Sequence, residues 1–505
     1  MLRADLKAKT EIPVSMESAV STQTERWTAV NPPRVILLLA VAATLVVDAV
    51  MVYFDWRYDL GLNHVAGAWV ALASDFKDGV FYRGLFGPLG YGNTIYFPLH
   101  FIMQGVVYKL LGGPILSGHI VDVAAMAALL AAVYVVLCRR GVDRGLAGLA
   151  TLLLLSGEAT RYALLTIRED ALALALSIWG IAVLAKPSLR NRDLAFAAVL
   201  FSAAVAAKQT SVFGLTAALL WLALSGRYRT AAKLAAFFSL GIAVTVLAMQ
   251  IGSGGRAFEV LTGSSVPGIT LHNFLLGPFR ALHYASLGLI VFGVLAWAAL
   301  LGSPPHEWRG IIPLFLITTT AGEAAIFAWG GADFNHLIDF EVVAVLMVAT
   351  RVARQGGPAF ESGLAALALA GLLSLAPALR TLRAVAEQPP ENSLVQAASF
   401  VARSHAPALC QNPLVCILAG QRPYMLDSTT FSLVRTRNRS FAAPLFDGLD
   451  NQRFGSVVLM VDPRTAKGAE SFNSHYFGKG FLQHLGANYQ FATELPGAFI
   501  YVPKT

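Results

Sequence analysis

Residues 166–176 read TIREDALALAL. Arg168, Glu169 and Asp170 stand side by side with apolar sequence on both flanks. Each ionised group placed in lipid costs roughly 2.5–3.5 kcal/mol or more. Asp170 precedes ALALALSIWG, and a carboxylate at a helix N-terminus suits the dipole. Capping therefore accounts for one acid, but not for Arg168 and Glu169 as well. Three other polar clusters interrupt apolar sequence. In FDWRYDLGLNH, Asp55, Arg57 and Asp59 follow an apolar run. Asp59 has the makings of a general base, and Asn63 and His64 come one helical turn later. The plainer reading is a solvated loop anchored by the interfacial rings of Tyr53, Trp56 and Tyr58. In AAKQTSV, Lys208 and Gln209 sit in a turn between two short apolar runs. Lys208 suits a lipid phosphate there, or else snorkels to headgroups. In WGGADFNHLIDFE, Gly330 and Gly331 break a helix before Asp333, Asn335 and His336, and Asp339 and Glu341 follow inside the next run. A leaving phosphate needs cations, and an attacking hydroxyl or amine needs a carboxylate. Together the clusters supply both.

These side chains need elements to hold them, and composition says which kind. The chain has 505 residues, 56% hydrophobic and 13% charged. Many runs approach the roughly 17–25 residues that cross a bilayer as a helix, so the expected class is a polytopic α-helical membrane protein. Eleven spans are expected, at 35–54, 118–138, 145–162, 171–185, 193–207, 210–225, 231–250, 281–301, 311–329, 337–350 and 362–378. The first apolar run is long enough to stay as an anchor rather than be cleaved. A twelfth candidate, 95–111, holds Pro98, His100, Gln104 and Lys109; it is expected along the outer interface as an amphipathic helix.

Charge decides the sides. With eleven crossings the loops CRRGVDR, KPSLRNR, GRYRTAAK, SPPHEWRG and RVARQ share one face, with about 12 Lys and Arg in about 34 residues. The other face has about 8 in more than 100 residues. The basic loops belong in the cytoplasm. The net charge of +8 is thus explained by topology and does not point to nucleic acid. Every polar cluster above then lies on the outer face. Residues 193–225 must cross twice in 33 residues, where two full crossings need roughly 40. The Lys208 turn should therefore sit in a recess below the surface, buried in protein or lining a cavity.

The expected organisation is a cytoplasmic tail over 1–33, a transmembrane domain over 34–380 with a first outer loop at 55–117, and a small extracytoplasmic α/β domain over 390–505. The last has strand-like runs PLVCILAG, GSVVLMVD and GAFIYVPK and a helix in NSLVQAASFVARS. It carries no phosphate loop, nucleophile elbow or zinc signature. Cys138, Cys410 and Cys416 make no zinc pattern, and whether Cys410 and Cys416 pair is left open. The Gly-rich stretch 251–280 reads as a mobile lid with Arg256 and His272 as ligands, or as a plain connector.

Taken in order, these motifs resemble the GT-C glycosyltransferases, especially the bacterial relatives of dolichyl-phosphate-mannose–protein mannosyltransferase and the lipid A aminoarabinose transferase. The elements are RYDLGLNHVA after the first span, DGVFYRGLFGPLGYGNTIYFPLHF, IREDALALAL, the AAKQTSV turn and GADFNHLID. Two departures stand out. Asp59 is followed by Leu60 where a second acid is usual, and Glu169 replaces the usual proline.

The resemblance implies transfer of a sugar from a polyprenyl-phosphate carrier to a lipid, glycan or protein acceptor on the outer face of a bacterial inner membrane. It implies Asp59 as general base and Asp170 as a second acid positioning acceptor or metal. Lys208 and Arg168 would hold the carrier phosphate. Glu169, Gln209, Asn335, His336, Asn63 and His64 complete the expected substrate-binding set. No cofactor is required by this reading, and a divalent metal is left open. Two rivals stand beside it. One is a transporter or flippase using Asp48, Asp339 and Glu341 for ion coupling; the other is an inactive relative serving as a scaffold.

Overall fold

The computed structural model describes residues 31–505 apart from 187, 265–269, 330–331, 391–392 and 405. The tail expected over 1–33 thus lies almost wholly outside the described residues, as do the Gly330–Gly331 break and the middle of the 251–280 loop.

The chain is helical from Pro32 onward. In order come α1 (Pro32–Tyr58), α2 (His64–Lys77), α3 (Pro98–Leu111), α4 (Pro114–Arg139), α5 (Arg144–Leu153), α6 (Glu158–Leu165), α7 (Asp170–Leu184), α8 (Asn191–Ala207), α9 (Phe213–Leu224) and α10 (Tyr228–Gly252). Then follow α11 (Arg256–Gly263), α12 (Leu271–Tyr284), α13 (Leu287–Leu301), α14 (Ile311–Ile326), α15 (Ile338–Arg354), α16 (Gly357–Ser374) and α17 (Ala376–Glu387). Each expected span overlaps a helix, with two corrections. The run 145–162 is interrupted: α5 ends in a tight turn, Gly157 is extended, and α6 starts afresh. The run 281–301 is split, because α12 and α13 meet at a bend of 117°. Ser286 restarts the chain there, its hydroxyl accepting from the Leu289 N–H at 3.3 Å.

Among the described residues, four helical stretches are long and apolar enough to cross a membrane unaided: α1, α4, α10 and the continuous α16–α17 segment. The bent α12–α13 pair makes a fifth if it is one span. A 15-residue helix such as α7 rises about 22 Å, short of a hydrocarbon core of about 30 Å. Helix length therefore does not by itself yield eleven crossings.

Helix α7 is the centre of the bundle. It packs against α4 and α8, and all but two of its 15 residues are buried. A Cβ at Gly180 would meet the Phe201 ring at 2.7 Å, so this glycine sets the close approach of α7 and α8. By contrast α10 buries only Leu234 and Met249. Its Leu240, Val244 and Leu247 face outward, as a lipid-facing helix requires.

The expected amphipathic helix exists as α3, but it is inverted. Its polar His100 and Gln104 are fully buried, while Val106, Leu110 and Leu111 are exposed. The polar face is turned into the protein because Asp122 of α4 awaits it, with His100 Nε2 at 2.8 Å from the Asp122 carboxylate.

The tail forms a four-stranded sheet of β3 (Ala408–Cys410), β4 (Ser456–Leu459), β5 (Tyr489–Leu495) and β6 (Ala498–Pro503), which follow the short β1 (Phe86–Gly87) and β2 (Gly90–Tyr91) of the first loop. The order is β3-β4-β6-β5, with β3 and β4 parallel and the rest antiparallel. GSVVLMVD and GAFIYVPK supply β4 and β6 as expected. PLVCILAG does not: Pro413–Leu418 is a helix, started by Asn412, whose side chain accepts from the Leu414 N–H. Proline at the first helical position suits that start, and the strand instead precedes it at 408–410. Cys410 and Cys416 form a disulfide that ties β3 to this helix.

The tail and the first loop share one core. Trp69, Val70 and Phe101 pack in the same cluster as Leu414, Val415, Val458 and Ile500. Tyr91 donates its N–H to the Tyr424 carbonyl at 2.8 Å, and Leu426 donates back to the Tyr91 carbonyl. Arg83 is gripped by Asp75 at 2.5 and 2.9 Å and also donates to the Pro423 carbonyl.

Candidate active site

The buried Asp170 opens α7 and is 1% exposed. Lys208 Nζ lies 2.5 Å from its Oδ1 and Arg168 Nε lies 3.0 Å from its Oδ2. Asn335 Nδ2 donates to the same carboxylate at 3.2 and 3.4 Å. Three residues, one from each of three separate polar clusters, thus converge on one carboxylate. The reason for the placement of Lys208 is local: α8 ends at Ala207, and Lys208 is extended at its C-terminus, so its side chain leaves the helix toward α7. Two cations against one buried carboxylate leave an excess of positive charge, suited to an anion.

Glu169 is 7% exposed, and its Oε2 has no hydrogen-bond partner among the described residues. Burial, and next the Asp170 charge, push its pKa above the ordinary carboxylate value. Burial opposes the charge on Arg168, but Asp170, Tyr162 and Glu169 outweigh it and hold the guanidinium firmly protonated. His336 brings a ring nitrogen, Nδ1, that also lacks a partner among the described residues. Asp339 and Glu323 are buried in the same electrostatic neighbourhood, on α15 and α14.

The first loop reaches this cluster through Tyr162. Its hydroxyl accepts from Asn63 Nδ2 at 2.7 Å and from Arg168 at 3.3 Å, and the guanidinium lies 5.3 Å from the ring centre. Asn63 also caps α2 through the N–H groups of Val65 and Ala66. His64 sits between the cluster and the tail. Its ring is 5.6 Å from that of Tyr476, and burial, with Arg168 adding to it, lowers its pKa despite Asp427.

Asp59 is half-buried in a left-handed conformation, φ 55°, at the end of α1. Its N–H bonds to the Asp55 carbonyl at 2.7 Å. Asp55, 2% exposed, accepts from the Gly61 N–H at 2.6 Å. Gly61 in turn lies against the carbonyl of Leu165, where a Cβ would come to 2.6 Å. The turn bearing Asp59 is thereby pressed onto the end of α6, three residues before Arg168. A cavity of about 190 Å³ opens beside it, lined by Asp55, Gly61, Glu158, Tyr162, Thr166 and Phe334. Gln209 is exposed in the Lys208 turn.

Several members were missed in the sequence. Tyr162 and Tyr96 lie in unremarkable apolar contexts. Asp427, whose charge is felt at both His64 and Tyr96, belongs to the tail and caps a helix there through the Thr429 and Thr430 N–H groups. Its xDSTTF context is a capping signal and nothing more. Two acids offered for ion coupling are otherwise engaged. Asp48 pairs with Arg161 at 2.7 Å. Glu341 accepts from the Ala159 and Thr160 N–H groups and the Thr160 hydroxyl at 2.8–3.2 Å, capping α6. Gly157 makes room for it, since a Cβ there would collide with the Glu341 carboxylate. Among the described residues no three His, Cys, Asp or Glu side chains gather as a metal-ligand set.

The fold is a helical bundle with a charged recess at one end and a first loop packed against a C-terminal α/β domain. The solved structures agree. ArnT from Cupriavidus metallidurans, bound to undecaprenyl phosphate, superposes with a TM-score of 0.57 at 10% identity, covering 92% of this chain and 97% of that one. The Archaeoglobus fulgidus oligosaccharyltransferase in its apo form gives 0.53 at 12% identity, over 95% and 75%. The same organism's AglB, in complex with an inhibitory peptide and a dolichol-phosphate, gives 0.55 at 12%, over 94% and 74%. At such identities the likeness is one of fold. No family model matches the chain, and no curated protein does.

Proposed function

We propose that the protein is a membrane glycosyltransferase that moves a sugar from a polyprenyl-phosphate carrier to an acceptor on the outer face of the membrane. The observation that carries this reading is the convergence of Lys208 and Arg168 on Asp170 at the end of the bundle. An apolar groove supports it. A cavity of about 360 Å³ between α12, α13, α14 and α15 is lined by Leu282, Leu289, Ile290 and Val294, with Glu323 in its wall. Glu323 shares the electrostatic neighbourhood of Lys208 and Asp170. A chain of isoprene units needs the groove, and its phosphate needs the cations. Two structures of like fold, ArnT and AglB, are solved with such phosphates.

The chemistry follows from the charges. The acceptor's oxygen or nitrogen forms a bond to the sugar's anomeric carbon as the bond from that carbon to the phosphate oxygen breaks. The leaving phosphate carries the electron pair, and Lys208 and Arg168 stabilise it. Asp170, already held by both cations, is a poor proton acceptor and serves to orient them. Asp59 takes the acceptor's proton. It lies on the turn that presses against α6, beside the cavity at Tyr162, which is the acceptor's place. The outer location is supported by the positive-inside count over the eleven crossings expected from sequence and by the Cys410–Cys416 disulfide, which suits an oxidising compartment.

The transporter reading keeps only Asp339 of its three acids, since Asp48 and Glu341 are spent on internal structure. Purified protein incubated with radiolabelled polyprenyl-phosphate sugars decides among the three readings. Sugar covalently attached to an acceptor supports the transferase. Carrier movement without bond change would replace it with a flippase, and carrier binding without turnover would leave a scaffold.

A further inference from the structure

The end of the bundle opposite Asp170 holds a second charged recess. Helix α15 runs from Asp339, beside Lys208, to Arg354, a rise of about 22 Å. Around its far end is a cavity of about 380 Å³. Arg140, Arg309, Arg351 and Arg354 line it, with Glu307 as the one carboxylate and Trp221 in the wall. Glu307 is taken by Arg354 at 2.6 Å. Arg351 reaches the Gly302 carbonyl at 3.3 Å, which leaves its charge uncompensated. The Nε of Arg140 is buried and has no hydrogen-bond partner among the described residues. Helix α14 also begins here: Gly310 and Ile312 line the cavity, and no side chain caps that N-terminus. Its first N–H groups have no partner within the helix.

Positive-inside arginines ordinarily spread along a membrane face. Four around one concave space, which an uncapped helix start also lines, are more than that signal requires. We propose that this recess binds a phosphate-bearing anion, with a lipid headgroup or a free phosphate compound as its source. Guanidinium groups match phosphate oxygens in pairs, the helix start adds N–H donors, and basic pockets between membrane helices suit anionic headgroups. The site is separate from the Asp170 cluster and does not rest on the transferase reading.

The test uses the full chain purified in a zwitterionic detergent. Binding is measured by titration calorimetry with dioctanoyl-phosphatidylglycerol, dioctanoyl-phosphatidylcholine and glycerol 3-phosphate. Arg309→Glu changes an exposed side chain on the turn before α14 and should leave the fold intact, with the melting temperature as control. The expected result is saturable binding of phosphatidylglycerol, weakened at least tenfold by R309E and by Arg351→Gln, with phosphatidylcholine at least tenfold weaker in the wild type. Equal competition by glycerol 3-phosphate would assign the site to a free phosphate compound; no competition would assign it to a lipid. Wild-type affinity in both variants, or equal binding of the two lipids, would overturn the proposal.

Discussion

At the scale of single residues, the carboxylates divide by what holds them. Asp170 is neutralised by two cations, whereas Asp59 sits half-buried on a strained turn. Asp59→Asn keeps the shape and removes the proton acceptor. Turnover should fall by about 10²–10⁴ with carrier binding retained; undiminished transfer would dismiss Asp59 as the base. The Asp170 cluster makes a different kind of demand. Removing one partner of a buried ion pair typically costs about 3–5 kcal/mol. Lys208→Ala leaves Asp170 its pair with Arg168, while Asp170→Asn strands two cations. Asp170→Asn should therefore destabilise more than Lys208→Ala, and the double variant should recover part of the loss while staying inactive. Unfolding midpoints of the three variants check this, and the reverse order would show that Asp170 is not what holds the two cations.

At the scale of elements, the short helix α6 is the bridge between the bundle and the site. Glu341 holds its start, Arg161 ties it to Asp48, and Tyr162 on it joins Asn63 to Arg168. Glu341→Ala strands two buried N–H groups and should cost about 1–3 kcal/mol, with a proportionate fall in melting temperature. If E341A instead kept full stability and lost coupling to a proton or sodium gradient, the capping role would be wrong and the transporter reading would return. This element also shows where sequence was readable. The polarity of REDA, the short apolar runs around Lys208 and the pair Asn335–His336 mark three arms of the buried charged cluster, because ions inside greasy sequence need partners. Tyr162 gave no such signal, since a tyrosine at a membrane surface is ordinary. Glu341 looks like a functional ion in sequence because the N-terminus it caps lies 181 residues away, beyond any local pattern. PLVCILAG looked like a strand from its β-branched content, but Asn412 and Pro413 start a helix, and that local signal was the better guide.

At the scale of the whole molecule, the tail belongs with the first loop on one face. A reporter fused at Thr505 should be active only outside the cytoplasm. Cys410 and Cys416 should resist thiol labelling in intact cells until reduced, while Cys138, the free and half-buried cysteine of α4, should not change with reductant. Labelling of Cys410 without reduction, together with a cytoplasmic reporter, would invert the topology and with it the outer-face site.

The pairing of Tyr91 with Tyr424 has a consequence in time. More than three hundred residues separate the two sides of that contact. At about 5–20 residues per second, a ribosome needs on the order of 15–65 s to travel between them. Through that interval Trp69, Phe101 and the Asp75–Arg83 pair wait without the cover that the tail later gives them. Nascent chains arrested before residue 408 should expose the first loop to protease, and chains released at full length should protect it. A prematurely ended chain would carry Arg168, Asp170 and Lys208 in place, yet lack the cover over the loop that delivers Asp59. On the transferase reading, activity should therefore appear only once the tail has been made.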